Sequence, residues 1–113
     1  MARLIVSALS EDTIAAPGNR NSNYIIVSVT DGNGGAVTGL TKENFTVDPI
    51  IVGPGGALVT IETAQMSSRL PGFYILRVVP IRAETWKAGV YIFCVAVERS
   101  VDRGQALASV LMD

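Results

Sequence analysis

The sequence predicts an all-β chain folded as an antiparallel two-sheet β-sandwich of seven to eight short strands. Three observations predict it. Apolar, β-branched segments are closed by Gly, Pro, Asn or Asp clusters at intervals of roughly 8–12 residues. Several of those segments alternate between apolar and polar residues, as a strand with one buried face does. No window of about a dozen residues sustains an apolar stripe at i, i+3, i+4 and i+7, which excludes a helical domain.

The elements follow in order. Residues 3–9, RLIVSAL, read as a first strand, followed by a polar connection broken at Pro17 and Gly18. Residues 23–30, NYIIVSVT, form a strong strand closed by Asp-Gly. AVTGL (36–40) reads as a short strand, and TKEN (41–44) as one helical turn with Thr41 as its cap. FTVDPIIV (45–52) is extended. Pro49 cannot donate to a ladder, so it marks an edge or a bulge. GPGG (53–56) turns the chain into ALVTIETA (57–64), and QMSSRLP is a loop. GFYILRVVP (72–80) is a long strand, IRAETWKA (81–88) crosses over, and GVYIFCVAV (89–97) is the most apolar strand. ERSVDRG turns the chain, and QALASVLM (105–112) closes the domain as a strand, with a short terminal helix as the alternative.

The two-residue period assigns faces. Ile25, Val27 and Val29 point inward against Tyr24, Ser28 and Thr30. Phe45 and Val47 point inward, as do Val59 and Ile61. Arg77 prefers water, so Tyr74, Leu76 and Val78 belong to the core, and Phe73, Ile75 and Val79 share the outer face with Arg77. In 89–97 both alternations are apolar: Tyr91, Phe93, Val95 and Val97 against Val90, Ile92, Cys94 and Ala96. Such a strand is either covered on both sides or presents a face to a partner.

Composition narrows the function classes. The 113 residues suit one domain, 1–113, able to bury a core without disulfides or metals. Hydrophobic residues make up 49% and charged ones 17%, so the surface exposes apolar area of the kind that marks interfaces. A net charge of −1, with dispersed cations, excludes a field for nucleic acid or acidic membrane. No apolar run approaches a membrane span. MARLIVSALSED lacks the longer apolar region of a signal peptide. The expectation is a soluble chain, cytoplasmic as written or excised from a surface, secreted or virion protein. The one cysteine permits no internal disulfide. Asn44 heads the sequon NFT, which matters only in a glycosylating pathway.

The candidate sites weigh as follows. DGNGG (31–35) begins as calcium loops do, making Asp31 and Asn33 weak metal candidates. No acid follows before Glu43, and Asp-Gly and Asn-Gly are favoured hairpin residues, so the turn reading is preferred. Neither glycine-rich stretch carries the Lys-Ser/Thr of a phosphate loop. Without histidine, Ser–His and Cys–His catalysis cannot be built, and zinc lacks its usual ligands, so no cofactor is expected. Cys94, between Phe93 and Val95, reads as a buried inert thiol. Trp86 reads as a plug at the end of the sandwich, and otherwise as an exposed aromatic of a sugar or protein site. The partner-binding candidates are Phe73, Ile75, Arg77, Val79, Trp86 and Ile92.

The segment from AGVYIFCVAVE to GQALASVLM resembles the last hairpin of an immunoglobulin-like or fibronectin-III-like sandwich, with Gly89 and Tyr91 at the start of the penultimate strand. Cys94 stands three residues beyond that tyrosine rather than two, and no second cysteine exists, so the disulfide-bonded class does not apply. VTDGNGGAVTGLTKENFTV is similar to the first half of bacterial Ig-like modules, with a glycine turn, V-x-G-L and a strand opening on Phe45. Together the resemblances span about residues 23–111. They imply a module used as spacer, adhesin, decoration or accessory. The expected function is a non-enzymatic structural or interaction module, acting by protein–protein assembly or homo-oligomerisation. A carbohydrate- or calcium-dependent binding module is the alternative.

Overall fold

A computed structural model describes residues 3–11, 14–51 and 58–112. Those residues contain seven strands: β1 (Ile5–Glu11), β2 (Asn23–Thr30), β3 (Phe45–Ile51), β4 (Val59–Met66), β5 (Phe73–Pro80), β6 (Gly89–Arg99) and β7 (Asp102–Met112). They form two antiparallel sheets, ordered β1-β2-β5-β4 and β3-β6-β7, and the fold is a β-sandwich.

Alternation along each strand builds the core. Ile25, Val27 and Val29 of β2 are buried, as are Tyr74, Leu76 and Val78 of β5. Phe45 and Val47 of β3 and Ile61 of β4 join them. In β6 the doubly apolar pattern resolves in favour of Tyr91, Phe93, Val95 and Val97, which all point inward. The ion pairs Arg99–Asp102 and Arg103–Glu98 lie on the surface, where each contributes at most about 1 kcal/mol. Burial of these apolar side chains therefore dominates stability.

Several elements differ from the sequence expectation. AVTGL is not a strand. Only Ala36 bridges to Thr30, and Gly39 takes φ +79, which breaks the extended run. The Tyr74 hydroxyl also engages Val37 and Leu40, whose backbone groups a ladder would need. The first strand lies two residues later than expected and pairs through Glu11 with Tyr24. The helical alternative for QALASVLM loses to a continuous hairpin, from Arg99 opposite Asp102 to Gly89 opposite Met112. TKEN forms a 3-10 turn over Lys42–Asn44. Its Asn44 Oδ1 accepts the Thr41 N–H at 2.8 Å, the reciprocal half of a capping box. Pro49 fits both expectations: β3 is an edge strand, and its register with β6 shifts between Pro49 and Ile51. The GPGG turn lies outside the described residues.

Two closures hold the sandwich together. On one side the chain before β1 crosses to the other sheet. Arg3 bridges Arg103 in parallel, and the Leu4 N–H donates to the Arg103 carbonyl at 2.9 Å. At one end, Trp86 inserts between the sheets. Its N–H donates to Asn19 O at 3.0 Å and its indole Nε1–H to Asn21 O at 2.8 Å, while its carbonyl accepts the Gly18 N–H at 2.8 Å. Arg20 secures the same end by donating to the carbonyls of Glu84 at 2.7 Å, Pro80 at 2.7 Å and Ile81 at 3.2 Å. Trp86 meets Tyr91 edge-on at 5.3 Å, and the Tyr91 hydroxyl accepts the Lys87 N–H at 3.0 Å.

Candidate functional site

The outer face of the four-stranded sheet carries the largest share of the predicted partner-binding residues. Phe73, Ile75 and Arg77 are exposed there and Val79 is half-buried, because Tyr74, Leu76 and Val78 take the inner positions. The register of β1, β2 and β5 sets them beside residues far away in sequence. Leu9 pairs with Ile26, and Ile26 pairs with Ile75, giving an apolar row across three strands. Ile5 lies one end of the same face, 54% exposed, and Leu9 is 66% exposed. Phe73 (37%) and Ile75 (39%) complete the patch.

The row on one side of Leu9–Ile26–Ile75 is mixed: Ser7 and Ser28 share a hydrogen bond between their hydroxyls, and Phe73 continues that row beside Ser28. On the other, Glu11, Tyr24 and Arg77 stand in register on β1, β2 and β5. The Arg77 guanidinium lies 5.3 Å from the centre of the Tyr24 ring, a cation–π contact that fixes both side chains. The result is an apolar strip with a polar border, chemically suited to dock against another protein surface.

The remaining two candidates lie elsewhere. Ile92 sits on the outer face of the other sheet, beside Cys94 and opposite Ser109. Val90, Leu107 and Leu111 are the exposed apolar residues of that face. Trp86 is fully buried and offers no surface. The plug reading of the sequence describes it, and its inclusion among surface candidates is corrected. The physical reason is its indole N–H, which finds Asn21 O only inside the sandwich end. Cys94 is corrected as well: it is half-buried on an outer face, with Sγ 3.8 Å from Gln105 Oε1. The alternation that puts Phe93 and Val95 inside puts Cys94 outside.

Asp31 and Asn33 form a turn that satisfies itself. Asp31 Oδ1 accepts the N–H of Asn33 at 2.8 Å and of Gly35 at 2.9 Å. The Asp31 N–H donates to Gly35 O at 2.8 Å, and the Gly34 N–H donates to Asp31 O at 3.1 Å. The Gly35 and Asn33 donors hold the Asp31 carboxyl below its ordinary value. The carboxylate is thus directed at its own loop, and among the described residues no group of three potential ligands surrounds a metal position. Asn44 of the sequon is engaged too: its amide donates to Glu98 O at 2.9 Å.

Leu9, Ile26 and Ile5 escaped the sequence reading of this face. The parity of RLIVSAL, with Ile5, Ser7 and Leu9 on one side, carries part of the signal. What brings them to Ile75 is strand order, which alternation does not encode. Among the described residues, no helix is long and apolar enough to cross a membrane. Comparison with protein-family models, with curated proteins and with solved structures returns no match to this chain.

Proposed function

We propose that this chain is a non-enzymatic Ig-like module that assembles through the outer face of the β1-β2-β5-β4 sheet, with a second copy of itself as the partner. The observation that carries the proposal is the outer-face row of exposed Leu9, half-buried Ile26 and exposed Ile75, joined by Phe73 and Ile5. An apolar strip of this kind on a sheet face is unfavourable in water and favourable against another strip.

The Ig-like part rests on topology. Sheets ordered β1-β2-β5-β4 and β3-β6-β7 match the strand order of seven-stranded Ig sandwiches, in which the first, second, fifth and fourth strands form one sheet. The Tyr91 hydroxyl, bonded to a backbone group four residues upstream at the start of β6, supports the same reading, because those folds hold a tyrosine there in the same way. Non-enzymatic is supported by a sequence without histidine.

Self-association is favoured by the symmetry of the face. A two-fold axis along the strands lays β5 of one copy over β2 of the other, so that Ile75 meets Ile26. The same operation brings Arg77 of one copy over Tyr24 and beside Glu11 of the other, which pairs opposite charges at the border. Sedimentation velocity across a concentration series tests this. The expected result is a reversible dimer or higher assembly that Ile75→Lys abolishes while leaving the circular dichroism and Tm intact. A strict monomer at the highest attainable concentration overturns self-association.

A further inference from the structure

We propose that Arg3 and Arg103 form a binding site for an oxyanion group, a carboxylate or a phosphate, at the hairpin end of the three-stranded sheet. Arg3 and Arg103 are partners in a parallel bridge, which sets their side chains on the same side of adjacent strands, roughly 5 Å apart at their origins. Like charges in that relation repel and destabilise the pairing. Arg103 has one acidic partner, Glu98, at 3.6 Å, with both side chains more than half exposed, so the compensation is small. Arg3 makes no ion pair among the described residues. Arg99, nearby in the hairpin, is matched by Asp102 at 3.5 Å. Of the two bridged arginines only Arg103 has an ion pair among the described residues, so the two guanidinium groups meet beside a single ion-paired carboxylate, that of Glu98.

There is room for a ligand at this place. A groove of about 330 Å³ is lined by Arg3, Leu4, Arg103, Gly104 and Gln105. A second, of about 300 Å³, shares Arg103, Gly104 and Gln105 and continues past Val97 and the Glu98 carboxylate to Ala96 and Thr46, so the first groove is the better place for an anion. Gln105 lines both grooves, where its amide is a neutral donor beside Arg103, and the Thr46 hydroxyl lines the second. Guanidinium groups bind carboxylate and phosphate oxygens in pairs, with geometry that a single lysine lacks. The groove volume suits the charged head of a small molecule or one side chain. An extended polyanion is disfavoured by the net charge of −1.

The test is a titration followed by amide chemical shifts and by Tm, with inorganic phosphate in one arm and malonate in the other. Both are run at fixed low ionic strength against chloride. The expected result is a saturable response at Leu4, Gly104 and Gln105 in at least one arm. Arg3→Gln and Arg103→Gln each weaken the apparent Kd about tenfold, and Arg82→Gln, at the opposite end of the sandwich, leaves it unchanged. A response to phosphate alone assigns a phosphate group, and a response to malonate alone assigns a carboxylate. In chloride alone, Arg3→Gln keeps or raises the Tm, since it removes the repulsion. No saturable response in either arm, an equal response in Arg3→Gln and the unsubstituted chain, or a lowered Tm for Arg3→Gln in chloride overturns the proposal.

Discussion

The Tyr74 hydroxyl donates to the Val37 carbonyl at 2.7 Å, inside the core and 37 residues away in sequence. The same oxygen accepts the Leu40 N–H at 3.2 Å, and the ring leans on Phe45 at 5.2 Å. The stretch from Val37 to Leu40 has no ladder of its own, so these backbone groups depend on one side-chain oxygen. Tyr74→Phe keeps the ring and strips both bonds, leaving a buried carbonyl and a buried N–H unpaired. The expected loss is about 1–3 kcal/mol in urea unfolding, with the m-value unchanged. An unaltered midpoint would show that the hydroxyl does not hold this segment.

Gly104 is the point where the chain before β1 presses on β7. A Cβ there would overlap the Leu4 carbonyl and approach Val6 Cγ2 at 2.9 Å. Its own φ is not in the left-handed region, so the demand is for space alone. Gly104→Ala forces the Leu4 backbone away and weakens the bond from the Leu4 N–H to Arg103 O. The expected cost is about 1–3 kcal/mol, the range for overpacking. Hydrogen exchange at the Leu4 amide should accelerate more than at Val27 in the core. Equal acceleration at both sites would place the damage elsewhere.

The inner faces were legible because a polar residue marked the outer one. Arg77 in β5 fixed Tyr74, Leu76 and Val78 as core, and Ser28 with Thr30 did the same for β2. In β6 no such marker exists. There the choice of Tyr91 over Ile92 depends on the Lys87 N–H and the Trp86 ring, both supplied by the preceding connection. The burial of Trp86 depends on Asn19 and Asn21, more than sixty residues earlier. The row Leu9–Ile26–Ile75 is likewise a product of strand order. Local period gives each residue its face, and only long-range pairing decides which faces adjoin. AVTGL departs from the strand expectation for a related reason: its β-branched and apolar residues fit a strand, but Gly39 and the Tyr74 hydroxyl give the backbone a different arrangement.

The β6–β7 hairpin turns through Ser100 and Val101, and Ser100 adopts φ +57. Two-residue hairpin loops with a positive φ at their first position favour glycine there, because an L side chain is crowded by the following carbonyl. Ser100→Gly relieves that crowding at the expense of some unfolded-chain entropy. The expected gain is up to about 1 kcal/mol, read as a raised midpoint in chemical denaturation. Ser100→Val, with a branched side chain in the same place, should lower it. The reverse order of the two variants would refute the turn assignment.

The DGNGG turn makes a pH-dependent contribution through Asp31. The N–H groups of Gly35 and Asn33 hold its carboxyl below the ordinary value, so the folded chain favours the ionised form. The unfolded chain takes up its proton at a higher pH than the folded one. The stabilisation is therefore fully present above the unfolded value of about 3.9, and it is lost as pH falls through the lowered folded value. Asp31→Asn retains an oxygen acceptor for both N–H groups and removes the charge. Its Tm should fall below that of the unsubstituted chain at neutral pH, and the gap should narrow on acidification below about pH 4. Thermal melts between about pH 6 and pH 2 measure it. A gap that stays constant, or widens towards acid, would mean that the charge on Asp31 does not hold the turn.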